Sequence, residues 1–214
     1  MPVRFAAQHV DLPFPKDQLS GTIWNGLVAL DGDHVLQWQV DEGASLRGLA
    51  LVIDWTLTGQ GSDIDGRAAL RPRKATLGPV NGDLDWRAVR SLMPDLPIGC
   101  DITASLNAVE VQIGANDRKG AGNITTTAGE CARIGSVDTP TPAPAMIVAL
   151  GTSQDGAEAV LTTQADRATP LLTARLTGAD RVVLTIHRAG AALVPGLPDS
   201  ADSELDLPLA ALLP

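Results

Sequence analysis

The chain holds 214 residues at a net charge of −9, with no Lys/Arg cluster standing out along it. That balance disfavours nucleic acid as a partner and disfavours charge-driven binding to an anionic membrane, because both need a basic face. Aromatic residues make up 3%, with no Tyr and two Phe, so the core must come from Val, Ile, Leu and Ala plus four Trp, a supply suited to thin, sheet-like packing.

Met1 is followed at once by Pro2 and Arg4, without the apolar stretch of a signal peptide. No apolar run is long enough to span a bilayer. Export would then depend on a targeting or anchoring segment outside this sequence.

Residues 35–40 alternate Leu36, Trp38 and Val40 against Gln37 and Gln39. Residues 49–57 alternate Leu49, Leu51, Ile53, Trp55 and Leu57 against Asp54 and Thr56. A period of two marks half-buried strands. Residues 158–165, 171–177 and 181–188 behave similarly, the last with Val182, Leu184 and Ile186 on one side. In residues 102–113 the apolar set changes parity, from Ile102, Ala104 and Leu106 to Val109, Val111 and Ile113; a bulge near Asn107-Ala108 would restore the register.

Turn signals fall between the runs: Asp31-Gly32-Asp33, Asp41-Glu42-Gly43, Gly59-Gln60-Gly61, Asp65-Gly66, Asn81-Gly82, Asn116-Asp117, Gln154-Asp155-Gly156 and Gly178-Ala179-Asp180. The Asn-Gly and Asp-Gly pairs predict tight antiparallel hairpins. Helix is scarce. Residues 85–93 fit a short one, with Asp85 as N-cap, Trp86, Val89 and Met93 on one face, and Pro94 as the stop. Residues 205–214 echo 84–94 in a Leu-Asp, apolar stretch, Pro pattern, which an internal repeat or chance would equally leave.

Residues 137–144 hold Pro140, Pro142 and Pro144 and are excluded from a sheet interior. They divide the chain into an N-terminal lobe, 1–136, and a C-terminal lobe, 145–214, that continues the same sheet. Residues 195–203, rich in Pro, Asp and Ser, read as a loose segment. The expected fold is all-β: a strongly curved antiparallel meander, half-open and barrel-like, with one or two short helices. One apolar face with little helix to cover it must roll up, pack on a second sheet or meet a partner. Gly21, Gly26 and Gly48 read as bending points inside strands.

Cys100 and Cys131 can stay free, ligate a metal or pair. No His or further Cys sits at ligand spacing, and a C-x-x-C redox pattern is missing, so a structural disulfide is favoured. It would close a loop of about 30 residues and stabilise the fold by roughly 3–4 kcal/mol. It also implies an oxidising compartment such as the bacterial periplasm.

Asp63-Ile64-Asp65-Gly66 resembles the start of a calcium loop but lacks the further ligands, which favours a solvated hairpin turn. His9, His34 and His187 have no G-x-S-x-G nucleophile nearby, and Asp54 and Glu110 read as lone carboxylates on polar strand faces. Trp24, Trp38, Trp55 and Trp86 either line a groove or anchor the core, each with an N–H to satisfy. No catalytic residue, cofactor or metal is expected.

The segment Leu19-Ser20-Gly21-Thr22-Ile23-Trp24-Asn25-Gly26 has the form L-S-G-T-aliphatic-W-x-G, preceded by an extended lead-in, Pro2-Val3-Arg4-Phe5. Leu36-Gln37-Trp38, Gly48-Leu49-Ala50-Leu51, Gly82-Asp83-Leu84-Asp85-Trp86 and the Leu-Pro-Ile-Gly-Cys run at 96–100 follow, with Cys131 beyond. Together they resemble the type II secretion system protein N family over residues 1–135. After Gly156 the likeness fades, without Gly-rich terminal strands of the family type. The resemblance implies a non-catalytic accessory protein, anchored in the inner membrane by one N-terminal helix, with a β-rich periplasmic domain that meets other secretion subunits. It is similar in style to AsmA-like lipid-transfer proteins, whose curved sheet holds an apolar groove. The alternative expectation is therefore a periplasmic module that binds lipid or another hydrophobe. Membrane association would run only through the anchor.

Overall fold

The computed structural model describes residues 18–30, 33–93, 98–114, 117–135, 139–177, 181–191 and 201–208. Expectations resting on residues 2–5, His9, 31–32, Pro94, Asn116, 178–180, 195–200 and 209–214 lie outside them.

The main sheet runs β1 (Leu19–Gly21), β2 (Asn25–Ala29), β3 (His34–Val40), β4 (Leu51–Gly59), β5 (Ser62–Arg71), β6 (Lys74–Asp85), β8 (Thr103–Gly114) and β9 (Arg118–Thr126). It continues with β12 (Met146–Thr152), β13 (Gly156–Thr163), β14 (Leu172–Thr177), β15 (Arg181–Ile186) and β16 (Ser203–Pro208). These thirteen strands pair antiparallel in chain order. A second, three-stranded sheet has the order β11-β10-β7, from β7 (Ile98–Cys100), β10 (Gly129–Arg133) and β11 (Thr141–Ala143).

Period-two patterning puts the apolar residues on one face. Directly paired residues share a face, and one row can be followed through the whole sheet. It passes through Leu19, Val28, Leu36, Leu57, Ile64 and Gly82. It goes on through Leu106, Ile124, Val148, Leu161, Leu172 and Ile186 to Ser203. The buried core gathers on this face around Leu19, Val28, Leu57, Ile64, Val80 and Val109. The opposite face carries Gln37, Thr56, Asp65 and Asn81 in register.

The sheet is neither closed nor strongly curled, and β1 and β16 are its two edges. This corrects the half-open barrel, and the glycines supply the reason. Gly21 ends β1 at the hairpin tip, Gly26 sits inside β2 to admit the Trp38 ring, and Gly48 ends a helix. None of the three has to supply the corner that would bend the sheet on itself.

The expected bulge is present: the β8–β9 register shifts between Asn107 and Glu110, and Ala108 has φ +47°. Asn81 Oδ1 accepts a hydrogen bond from the Ala108 N–H at 2.8 Å. Leu106 and Val109 thus face the same core. Two expected turns are strand interiors instead. Asp65-Gly66 lies within β5, where Gly66 pairs with Trp55, and Ile64 is buried. Neither a calcium loop nor a hairpin turn exists at 63–66. Asn81-Gly82 lies within β6, where the φ of +119° at Gly82 belongs to an irregular register.

Among the described residues three short helices interrupt the strands: α1 (Glu42–Gly48), α2 (Trp86–Leu92) and α3 (Arg188–Ala191). The first replaces an expected turn and shortens the expected 49–57 strand; the Asp41 carboxylate accepts from the Ala44 N–H at 2.9 Å as its N-cap. The second has Asp85 as N-cap, as expected, accepting from the Arg87 N–H at 2.8 Å. Its inward residue is Ala88, fully buried in the core cluster, whereas Met93 is exposed and does not belong to the packed face. The 84–94 and 205–214 segments are not a structural repeat over the described residues, since the first turns into α2 while Ser203–Pro208 is a strand.

The Pro-rich connection contributes β11, with Pro142 opposite Glu130 at an outer strand of the small sheet, where a missing N–H is tolerated. The main sheet passes directly from β9 to β12 across this connection. The small sheet prolongs the β8–β9 hairpin: Cys100 on β7 stands opposite Cys131 on β10, and the two are disulfide-bonded.

Candidate functional site

The L-S-G-T-I-W-N-G segment builds the β1–β2 hairpin at one edge of the sheet. Leu19 is buried in the core, and Gly21 takes φ +95°, with the Asn25 carbonyl oxygen 2.5 Å from where its Cβ would lie. The Thr22 hydroxyl ties the turn together. It accepts from the N–H groups of Trp24 and Asn25 at 3.2 Å each and lies 3.2 Å from Asn25 Oδ1. The Thr22 N–H donates to the Asn25 carbonyl at 2.7 Å. Thr22 and Asn25 thus have a local backbone reason.

The four tryptophans do not line one groove. Trp38 and Trp55 are directly opposite each other on β3 and β4. Each leans outward over a glycine on the next strand: a Cβ at Gly26 would fall 2.3 Å from the Trp38 ring, and one at Gly66 2.4 Å from the Trp55 ring. Both rings pack against the core cluster. Trp55 Nε1 is buried without a hydrogen-bond partner. Trp86 opens α2, and its Nε1–H donates to the Ile98 carbonyl at 3.2 Å. Trp24 is exposed at the tip of the β1–β2 hairpin.

A hollow of about 730 Å³ lies over β1–β5. Trp38 and Trp55 both border it, while Leu27, Gln37, Gln39, Asp54, Thr56 and Asp65 line it from the polar face of the same strands. Arg67 bridges this region, with Nε 2.6 Å from Asp54 Oδ1 and a terminal nitrogen 3.6 Å from Asp41 Oδ2. The hydrogen bond and charge of Asp54 raise the Arg67 pKa above its ordinary value.

Two histidines make polar contacts at the far ends of strands. His34 is buried at the start of β3, its ring against Gly59, with Nε2 3.4 Å from Ser62 Oγ. His187 follows β15, with Nε2 2.9 Å from Thr173 Oγ1 and Nδ1 2.9 Å from Asp202 Oδ2. The order hydroxyl, imidazole, carboxylate matches that of a catalytic triad. Thr173 is buried within β14, however, and Asp202 also accepts from the Arg188 N–H at 2.9 Å, fixing the start of α3. The set therefore works as a clamp between β14, α3 and the lead-in to β16. Those bonds, the Arg188 N–H first and the His187 ring second, hold the Asp202 carboxyl below the usual range. Sequence reading missed the clamp because Thr173, His187 and Asp202 become neighbours only through the β14–β15–β16 pairing.

One feature of composition also reads differently in three dimensions. The β5–β6 hairpin turns at Arg71-Pro72-Arg73-Lys74, and Arg47, Arg118 and Lys119 end up at the same end of the strands. A Lys/Arg cluster therefore exists, assembled from α1, one hairpin and the start of β9, within a chain of negative net charge.

Among the described residues no group of three or more His, Cys, Asp and Glu is placed to hold a metal ion. No helix among the described residues is long and apolar enough to cross a membrane. The chain matches no protein-family model, no curated protein and no solved structure.

Proposed function

We propose that the chain is a non-catalytic structural component of a type II protein secretion system, the periplasmic domain of a protein anchored in the inner membrane. The observation that carries this reading is the L-S-G-T-I-W-N-G segment at 19–26, which forms the edge hairpin β1–β2. An edge strand with one neighbour offers its outer backbone groups to a partner strand, the mode of β-addition. The cross-strand disulfide suits an oxidising compartment.

A photo-crosslinking side chain at Ser20, exposed on β1, tests the proposal in a bacterium with an active secretion system. Capture of a secretion subunit is expected. Efficient crosslinking that yields no such subunit overturns the reading.

A second reading, a hydrophobe-binding module, draws on the aliphatic row from Leu19 to Ile186. In the β12–β15 half, Val148, Leu161, Leu172 and Ile186 are only half-buried, leaving apolar area for an acyl chain. Native mass spectrometry of protein taken from bacterial membranes decides it: a bound lipid supports this reading, and consistently lipid-free protein removes it.

A further inference from the structure

Chain topology brings the β1–β2 hairpin tip, α1, the start of β4, the β5–β6 turn and the start of β9 to one end of the sheet. Large apolar side chains stand exposed there: Ile23, Trp24, Leu46, Leu49, Leu51 and Leu70, with Leu46 at 79% and Leu49 at 85%. Leu51 and Leu70 are cross-strand partners. Beside them stand the cations Arg47, Arg71, Arg73, Lys74 and Lys119, whereas Arg118 next to Lys119 is buried. The carboxylates within or beside this rim are Asp41, Glu42, Asp54 and Asp117; Asp41 and Asp54 are held by Arg67, and Asp117 is shared by Lys74 and Lys119 at 3.7 and 3.2 Å. The rim is thus locally positive, although the chain carries −9.

Backbone conformation supplies a second, independent argument. Among the described residues three non-glycines have positive φ: Ala108 in the bulge, Leu49 at +45° and Arg73 at +66°. Leu49 is the left-handed residue that ends α1, and Arg73 follows Pro72 in a two-residue hairpin turn. Both are places where glycine fits without strain. A leucine and an arginine occupy them instead, and the leucine projects almost wholly into solvent. The Leu49 N–H closes α1 on the Ser45 carbonyl, but neither side chain is packed into the fold, and strain kept at such positions points to a role outside it. Arg71 Nε, 3.4 Å from the Gly48 carbonyl, holds the hairpin against the end of α1 and keeps the two strained residues on one rim.

We infer that this rim docks on an anionic lipid surface, with leucines and Trp24 entering the headgroup–acyl boundary and arginines meeting the phosphates. The apolar side chains project from tips and lie beside cations, which suits a broad negative surface and not a peptide seated in a groove. Arg and Lys stems cover apolar surface while their charged ends stay in water, and tryptophan favours the membrane interface. The inference goes beyond the proposed secretion role, and its test is independent of any secretion subunit.

The test is flotation of the full chain with phosphatidylcholine vesicles, with or without about one-third phosphatidylglycerol. Wild type is expected to float with the anionic vesicles and not with the neutral ones, and to be released at high salt. Leu49→Gly is expected to weaken binding by about tenfold, and Arg73→Gly by about fivefold. Both replacements relieve positive-φ strain, so lost binding cannot be assigned to unfolding, and circular dichroism confirms the fold. Equal flotation with neutral vesicles, or undiminished binding by both variants, overturns the inference. So does an absence of flotation with the anionic vesicles. Concentration-dependent self-association that Leu49→Gly abolishes, without vesicle binding, would assign the rim to a second copy of the chain.

Discussion

Trp55 and Gly66 face each other across β4 and β5, and the indole takes the volume that any side chain at 66 would need. Trp38 and Gly26 repeat the relation across β3 and β2, and His34 and Gly59 repeat it between β3 and the end of β4. In each case a ring from one strand covers bare backbone on the next. This arrangement lets wide rings pack on a sheet without forcing its strands apart.

Gly66→Ala is therefore expected to destabilise the protein, because the new methyl falls 2.4 Å from the Trp55 ring and one of the two must move. Overpacking of this kind costs about 1–3 kcal/mol. Urea unfolding followed by tryptophan fluorescence reads the change, and an unaltered midpoint would refute the packing described.

Replacing Cys100 and Cys131 by serine removes the clip that closes the β8–β9 hairpin over a sequence separation of 31. The chain-entropy relation gives a loss of roughly 3–4 kcal/mol. Wild type treated with a reductant should match the double variant. If the variant keeps the wild-type unfolding midpoint, the disulfide contributes nothing to the fold.

Leu49→Gly should do the reverse and raise stability by about 0.5–1 kcal/mol. Left-handed strain of about 1–2 kcal/mol disappears, set against the larger entropy that glycine loses on folding. Little packing is lost, since Leu49 is 85% exposed. Thermal unfolding checks the sign; a lower melting temperature would mean that Leu49 supports the fold after all.

Acid should weaken the C-terminal strands through Asp202. The Arg188 N–H and the His187 ring stabilise the ionised carboxylate, so its folded pKa lies below the unfolded one. Its contribution is complete above the unfolded value and disappears as pH falls through the folded value. Asp117, lowered chiefly by its bond from Lys119, acts in the same direction. So does Asp85, where bonds from Arg87 outweigh burial. Urea midpoints measured from neutral to acidic pH should fall, and Asp202→Asn should fall less steeply than wild type. Parallel profiles for the two proteins would rule the clamp out as a source of the acid response.

The apolar face was readable from residues 35–40 and 181–186 because alternation survives in any half-buried strand. The parity change between Leu106 and Val109 even located the bulge. The glycine pairs misled: Asp65-Gly66 and Asn81-Gly82 carry the composition of hairpin turns, but tertiary packing uses them in strand interiors, one under a ring and one at an irregular register. Helix α1 stayed hidden because Asp41-Glu42-Gly43 fits a turn as well as an N-cap and first turn. The cationic rim was invisible to whole-chain charge, since Arg47, Arg71 and Lys119 are far apart in sequence and meet only when their strands align.

The thirteen strands follow one another across the sheet in the order of synthesis, with two excursions into the small sheet, β7 between β6 and β8 and β10–β11 between β9 and β12. Such a ribbon can grow or shrink at its outer margins without rethreading anything already laid down. A chain that ended after β14 would still pair every earlier strand as before. The span of the sheet is therefore an adjustable dimension, set by how many hairpins are appended and not by the geometry of a closed shell.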